Sequence, residues 1–279
     1  MQTVVIDKAT GSDWQTFFAW ADLENWRIPA AEKELFTRFW QDRAYTLRYA
    51  GNMVGFVTAV RHGQSGWIGN LIVPPSCRRG GIGSTLLDYA LQQLTEQGCT
   101  TIWLTASAMG RPLYERRGFR RIDRIERWIL PNGGRGDAPP APSGPLDDLR
   151  TADQSAWGDS RQELLERLAA YGRVVRHQGG VALLQQQAAT TTPESLQVLG
   201  PWYASPDGEE VDARLLDRAI AQATPSGELI ADCLFSSGKN RLLAERGFLR
   251  HGTSELMVRG DHPGLGPNLI SLASLGSIG

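Results

Sequence analysis

The sequence predicts an α/β (α+β) protein built of two similar domains, and three observations predict it. The chain has 279 residues, 41% hydrophobic and 21% charged, which is ordinary globular composition and enough for about two domains at roughly 100–200 residues each. Two short strings recur: Leu86-Leu87-Asp88 as Leu215-Leu216-Asp217, and Arg117-Gly118-Phe119 as Arg246-Gly247-Phe248, each 129 residues on. Two matches at one offset, with no gap between them, predict that a helix–strand–helix unit is repeated. Between the copies, residues 131–147 are so crowded with Pro and Gly that no periodic pattern survives. The expected division is therefore 1–130, a linker at 131–147, and 148–279.

Within the first copy the elements follow from period and punctuation. Residues 12–20 and 30–40 read as helices joined by 21–29, and Trp14, Trp20, Trp26 and Trp40 lie in this segment. Residues 44–50 and 53–60 read as a hairpin turning at Gly51-Asn52, a dipeptide suited to positive φ. Residues 67–73 form a buried apolar run that ends at Pro74-Pro75, since proline cannot donate to a sheet ladder. Leu86, Leu87, Ala90, Leu91 and Leu94 then recur at three-to-four spacing before Gly98, an amphipathic helix with a glycine stop. Residues 100–105 read as a strand, 111–117 as a short helix closed by Gly118, and 119–129 as a last strand.

Composition excludes several functions. Lys+Arg 29 against Asp+Glu 30 gives a net charge of −1, without the basic excess that nucleic acid or an anionic membrane would demand. The halves differ, however: residues 1–130 carry 16 basic and 12 acidic side chains, and residues 148–279 carry 12 and 16. Cys77, Cys99 and Cys233 are too few and too scattered for a disulfide framework, and the four histidines include no pair at ligand spacing, so no metal site is expected. No leader and no long apolar run is visible, so the expected location is the cytoplasm.

The chemistry concentrates at Arg78-Arg79-Gly80-Gly81-Ile82-Gly83-Ser84, between a strand that stops at prolines and a helix. Unpaired amides and the positive end of the helix dipole attract an anion there, and glycines let a phosphate approach the backbone. The spacing fits neither the dinucleotide nor the Walker loop. Together with Val73-Pro74-Pro75 before it and Thr85-Leu86-Leu87 after it, the stretch resembles the acetyl-CoA-binding motif of the GNAT acetyltransferases, with Arg78, Gly81 and Gly83 at the Arg/Gln-x-x-Gly-x-Gly/Ala positions. Gly110–Phe119, a short helix bearing Tyr114 and followed by Gly-Phe, resembles the second landmark of that superfamily.

The resemblance covers residues 1–130 and implies a mixed, mostly antiparallel, twisted sheet flanked by helices, repeated in the second domain. It implies that the strand at 67–73 splays from its neighbour, that the pantetheine arm of acetyl-CoA lies in the gap along Ile72 and Val73, and that the pyrophosphate rests on Arg79, Gly80, Gly81, Ile82, Gly83 and Ser84. Tyr114 would protonate the leaving thiolate, and amides near Val73 would polarise the carbonyl. The amine must lose a proton, and here the sequence departs from relatives that carry a carboxylate on this strand, because Trp-Ile-Gly-Asn-Leu-Ile-Val has none. Asn70 orienting a water, Asp22 or Glu24 as base, or a water chain without a dedicated base are the open alternatives. Trp26 is the tryptophan that could line an acceptor pocket, the alternative being core packing. Ser107 and Cys77 lack a partner histidine and read as structural.

In the second copy Asp207, Glu209, Glu210 and Asp212 stand where the first offers arginines and amides, and Leu243 stands at the Tyr114 position. Like charges within a Debye length of about 10 Å oppose a pyrophosphate, so this half is expected to have lost CoA and to shape the acceptor pocket. The turn-rich, then apolar end of the chain is expected to lie over the sheet. The expected activity is acetyl transfer from acetyl-CoA to the primary amine of a small molecule by direct attack in a ternary complex, in a monomer or homodimer. The alternatives are an acetyl-CoA sensor without turnover and an enzyme acting on a protein amine.

Overall fold

The computed structural model describes residues 4–136, 143–186, 196–225, 227–262 and 264–279. The first half runs β1 (Val4–Lys8), α1 (Gly11–Leu23), α2 (Ala30–Glu34), β2 (Ala44–Tyr49), β3 (Asn52–His62), β4 (Ser65–Ile72), α3 (Ile82–Glu96), β5 (Thr101–Ala106), α4 (Arg111–Glu115) and β6 (Arg120–Leu130). The second runs α5 (Leu146–Trp157), α6 (Gln162–Ala169), β7 (Gly172–His177), β8 (Gly180–Gln185), β9 (Leu196–Tyr203), α7 (Glu209–Gln222), β10 (Glu228–Leu234), α8 (Asn240–Ala244), β11 (Leu249–Gly260) and β12 (Leu269–Ser271). The 129-residue offset carries α4 onto α8 and the start of β6 onto the start of β11. It also carries a bidentate ion pair onto its twin: Arg117 grips Asp88 at 2.9 and 3.0 Å, and Arg246 grips Asp217 at 2.7 and 3.0 Å.

All twelve strands among the described residues join one mixed sheet in the order β1-β2-β3-β4-β5-β11-β6-β10-β12-β9-β8-β7. The sheets of the two halves have thus merged, and they exchange their last long strands. β11 of the second half lies against β5 of the first, and β6 of the first lies against β10 of the second. β6 and β11 pair antiparallel with each other at the centre.

Side chains alternating along the strands feed two faces. Phe56, Val60, Trp67 and Trp103 point into a core shared by α1, the segment Leu35–Phe39 after α2, α5 and α6, in which Trp14 and Phe36 of the first half are continuous with Leu149, Leu164 and Tyr203 of the second. Val57, Ile68, Ile102 and Leu104 point the other way, against Leu86, Leu87 and Leu94 of α3. The second half makes the equivalent core with Leu215, Leu216 and Ala219 of α7. A guanidinium is buried in the shared layer, where Arg161 pairs with Asp153, stacks 4.1 Å from the Trp157 ring and meets the Tyr203 hydroxyl.

Several local expectations shift. The β2–β3 turn is Ala50-Gly51, both at positive φ, and Asn52 already pairs with Tyr49, so the hairpin turns one residue earlier than at Gly51-Asn52. The helix expected over 30–40 is a short α2 that widens into a π turn at Leu35–Phe39; Trp40 N–H reaches the Leu35 carbonyl five residues back, which seats Trp40 fully in the core. The linker is not free at its start, since Gly134 and Arg135 donate to the Thr224 and Ile220 carbonyls. Its residues 137–142 lie outside the described residues. No helix among the described residues is long and apolar enough to cross a membrane.

Candidate active site

Parallel pairing of β4 with β5 is confined to Ser65–Thr101, Gly66–Ile102 and Trp67–Trp103, although β4 runs on to Ile72 and β5 to Ala106. The two strands therefore splay beyond Trp67. The register of β4 on β3 jumps between Phe56–Ile72 and Thr58–Gly69, which marks a bulge, and Asn70 within it is held at φ +54. Backbone groups of β4 on the β5 side are thereby left without a ladder partner beside a cleft of about 1000 Å³.

At the open end of the splay lies the N-terminus of α3. Arg79 (φ +69) and Gly81 (φ +80) are both left-handed, a turn that aims successive amides to one side. The first bond of the helix is Thr85 N–H to the Gly81 carbonyl, so the amides of Ile82, Gly83 and Ser84 have no partner within it. A Cβ on Gly83 would approach nothing closer than 3.7 Å, and one on Gly81 would have open space. These residues fit a pyrophosphate through unpaired amides and an unobstructed approach.

The structure brings nearly all the sequence candidates around this one cleft. Ile72, Val73, Arg78, Arg79, Gly81, Ile82, Gly83 and Ser84 line it at one end, and Gly80 lies in the same turn without lining it. Tyr114 enters from α4, 8% exposed, and burial pushes its hydroxyl up to about 12, so it keeps its proton. Asn70 and Trp26 line the cleft further along. Trp14 and Trp40 are core, and Trp20 is half-buried against it. Glu24 lines the cleft but is engaged: the Arg78 guanidinium donates to its carboxylate and, through Nε, to the Val73 carbonyl at 2.8 Å. A carboxylate tied to the arginine of the phosphate turn is a poor base. Asp22 does not line the cleft.

Four groups that sequence reasoning missed close the other end. Glu32 on α2 is 4% exposed, lines the cleft, and has no ion-pair partner within 4 Å among the described residues. Burial raises its carboxyl to about 7, against the lowering influence of Ser277 and Arg127. Arg127 on β6 holds Asp232 on β10 at 2.7 and 2.6 Å and donates to the Leu275 carbonyl at 3.0 Å. Ser277 is buried and its hydroxyl meets no partner of good hydrogen-bond geometry. A signal for Glu32 was present: it stands three and four residues before the buried Leu35 and Phe36, on the inward face.

The tail was expected to lie over the sheet; instead Leu269–Ser271 enters it as a strand, and the residues that follow reach both halves. β12 sits between β9 and β10, where those strands separate after Glu228–Leu196 to Ile230–Val198, so the second half's counterpart of the splay holds a strand of the chain itself. The tail then crosses to the first splay, where the Gly276 carbonyl accepts from Trp67 Nε1 at 3.2 Å and from the Thr105 hydroxyl at 2.9 Å. Glycines permit both passages. A Cβ on Gly200 would lie 1.9 Å from the Leu272 carbonyl oxygen, and one on Gly69 2.1 Å from that of Ser277. In the acidic loop only Asp207, Glu209 and Glu210 are exposed; Asp212 is buried, accepts from Ser205 N–H at 2.9 Å and pairs with Lys239.

A splayed parallel strand pair ending at a glycine turn on a helix N-terminus, with a buried tyrosine beside it, is the arrangement that the motif resemblance implied. Residues 10–119 match the acetyltransferase (GNAT) family. The uncharacterized N-acetyltransferase YitH of Bacillus subtilis is 28% identical over 181 residues, 62% of each chain. The ribosomal protein bS18-alanine N-acetyltransferase of Escherichia coli is 28% identical over 97 residues, 34% of this chain and 66% of that one. The chain thus spans a little under two thirds of the length of these curated relatives. The solved structure of an acetyltransferase candidate from Pyrococcus horikoshii shares the fold over 99% of this chain and 96% of its own, with a TM-score of 0.77 at 20% identity. A GCN5-related N-acetyltransferase from Sphaerobacter thermophilus does so over 94% and 97%, with a TM-score of 0.60 at 17% identity.

Proposed function

We propose that the protein transfers an acetyl group from acetyl-CoA to the primary amine of a small molecule, in one site built on residues 1–130 and roofed by residues 148–279. The observation that carries this reading is the splay of β4 from β5 running into the unpaired amides of Ile82–Ser84. Acetyl-CoA, when bound, supplies an activated thioester carbonyl. Unpaired β4 backbone near Ile72 and Val73 holds the pantetheine arm as an added strand would be held, and the amides of the turn hold the pyrophosphate with Arg79 beside them. Tyr114, protonated throughout the physiological range, donates to the departing sulfur. Among the described residues no nucleophile with a basic partner lines the cleft, which favours direct attack by the amine in a ternary complex over an acyl-enzyme.

The second half supports this acceptor class. His251, Thr253 and Ser254 of β11 and Leu275–Ser277 of the tail line the cleft together with Trp26, which narrows it toward a small molecule. The bS18-alanine relative favours the second reading, a peptide α-amine. Thiol release from acetyl-CoA, measured over amino acids, polyamines, aminoglycosides and peptides with N-terminal alanine, decides between them. Turnover on the small amines with none on peptides is expected; turnover on peptides alone would overturn the small-molecule reading. CoA binding without thiol release from any amine would instead identify a sensor. Tyr114→Phe should lower kcat by about 10²-fold while leaving the Kd for CoA unchanged.

A further inference from the structure

The proposed reaction leaves one requirement unmet, because the amine must surrender a proton and the sequence offers no carboxylate on β4. Of the carboxylates lining the cleft, Glu24 is bound to Arg78 and Asp232 to Arg127. Glu32 is the buried one left without an ion pair among the described residues, and it lies where α2, β6, β10 and the tail converge. We propose that Glu32 is the general base, accepting the proton of the acceptor amine, and that Ser277 and the Arg127–Asp232 pair position and tune it. This rests on the reading of the protein as an amine acetyltransferase.

The step balances. The amine nitrogen bonds to the acetyl carbon and the carbon–sulfur bond breaks; the nitrogen's proton passes to Glu32, and the Tyr114 proton passes to the sulfur. Glu32 then loses its proton to solvent and Tyr114 regains one. An uncompensated buried carboxylate also disfavours anions and receives an ammonium, so a cationic amine can bind there; it sheds one proton to solvent to become the neutral nucleophile, and its second passes to Glu32 as nitrogen bonds to the acetyl carbon. The charged or polar groups facing Glu32 are Lys33 on its own helix, Arg127 on β6, Asp232 on β10 and Ser277 on the tail. Three of them sit on elements other than α2, so the base is set partly by the second half. That gives the repeat a task in catalysis although its own splay is filled.

Two measurements test the assignment. The carboxyl of Glu32 ionises near 7 in the folded protein and near 4.5 when unfolded. From pH 4.5 to about 7 the unfolded chain has lost a proton that the folded one keeps, so this group makes stability fall as pH rises, levelling above 7. Glu32→Gln should remove that contribution in urea titrations, a readout independent of turnover. In thiol-release assays Glu32→Gln should lower kcat by about 10²-fold, abolish the acid limb centred near pH 7, and leave CoA affinity unchanged. Ser277→Ala should move that limb to higher pH and lower the rate at pH 7, because Ser277 lowers the carboxyl. If the wild type turns over and Glu32→Gln keeps its rate and its limb, the role of Glu32 is overturned and the transferase reading stands. If the wild type releases no thiol with any amine, the transferase reading fails and takes this inference with it.

Discussion

At the scale of single residues the molecule buries charge in two different ways. Arg161 and Asp153 are paired with each other and with Tyr203, and removing either partner of such a pair costs about 3–5 kcal/mol because the other is stranded. His62 is buried neutral: desolvation, with the guanidiniums of Arg161 and Arg43 nearby, holds it down to about 3 from 6.5. Between pH 6.5 and 3 the unfolded chain binds a proton that the folded one refuses, so stability is lost as pH falls through that window, by about 1.4 kcal/mol per pH unit well inside it. Urea unfolding at pH 7 and pH 5 should show a wild-type loss that His62→Gln diminishes; an equal loss in both would show that His62 does not titrate as described. Glu32 works in the opposite direction, and neither behaviour was visible in the sequence. His62 is isolated, and Glu32, although its spacing from Leu35 and Phe36 puts it on the inward face, has no partner in the sequence near it that marks its burial. Their titration comes from what tertiary packing removes, which is water.

Elements were legible wherever one period dominated. The apolar run ending at Pro74-Pro75 gave β4, and the heptad-like spacing of Leu86 to Leu94 gave α3, because their local chemistry agrees with their place in the fold. The π turn after α2 and the three-residue β12 were not legible, one being a change of winding and the other too short to show a period. The candidate site was legible as the glycine turn and Tyr114, which are local motifs. Its far end was not, since Glu32, Arg127, Asp232 and Ser277 are assembled by long-range contacts. The contrast between the two helix N-termini yields a prediction at this scale. Gly81 is left-handed and faces open space, so Gly81→Glu introduces backbone strain and a like charge where the pyrophosphate rests. Isothermal titration should find CoA binding lost in Gly81→Glu and retained in Glu210→Gly; equal losses would contradict a single working site.

At the scale of the whole molecule the 129-residue repeat was legible but its consequence was not, because identical strings cannot say which strand pairs with which. The exchange of β6 and β11 makes the halves interdependent: residues 1–130 alone would expose the edge of β5 that β11 covers, and an unpaired edge invites association. We therefore expect residues 1–136 expressed alone to aggregate, and the same segment co-expressed with residues 143–279 to copurify and bind CoA. A monomeric, CoA-binding segment 1–136 would refute the interdependence. The same exchange governs how the protein can be born. Translation delivers β5 long before β11, and a nascent chain ordinarily completes its first domain while the next is still inside the ribosome. Here the sheet beside the proposed catalytic cleft must wait until β11 has emerged, so a polypeptide interrupted before it has no finished catalyst to release.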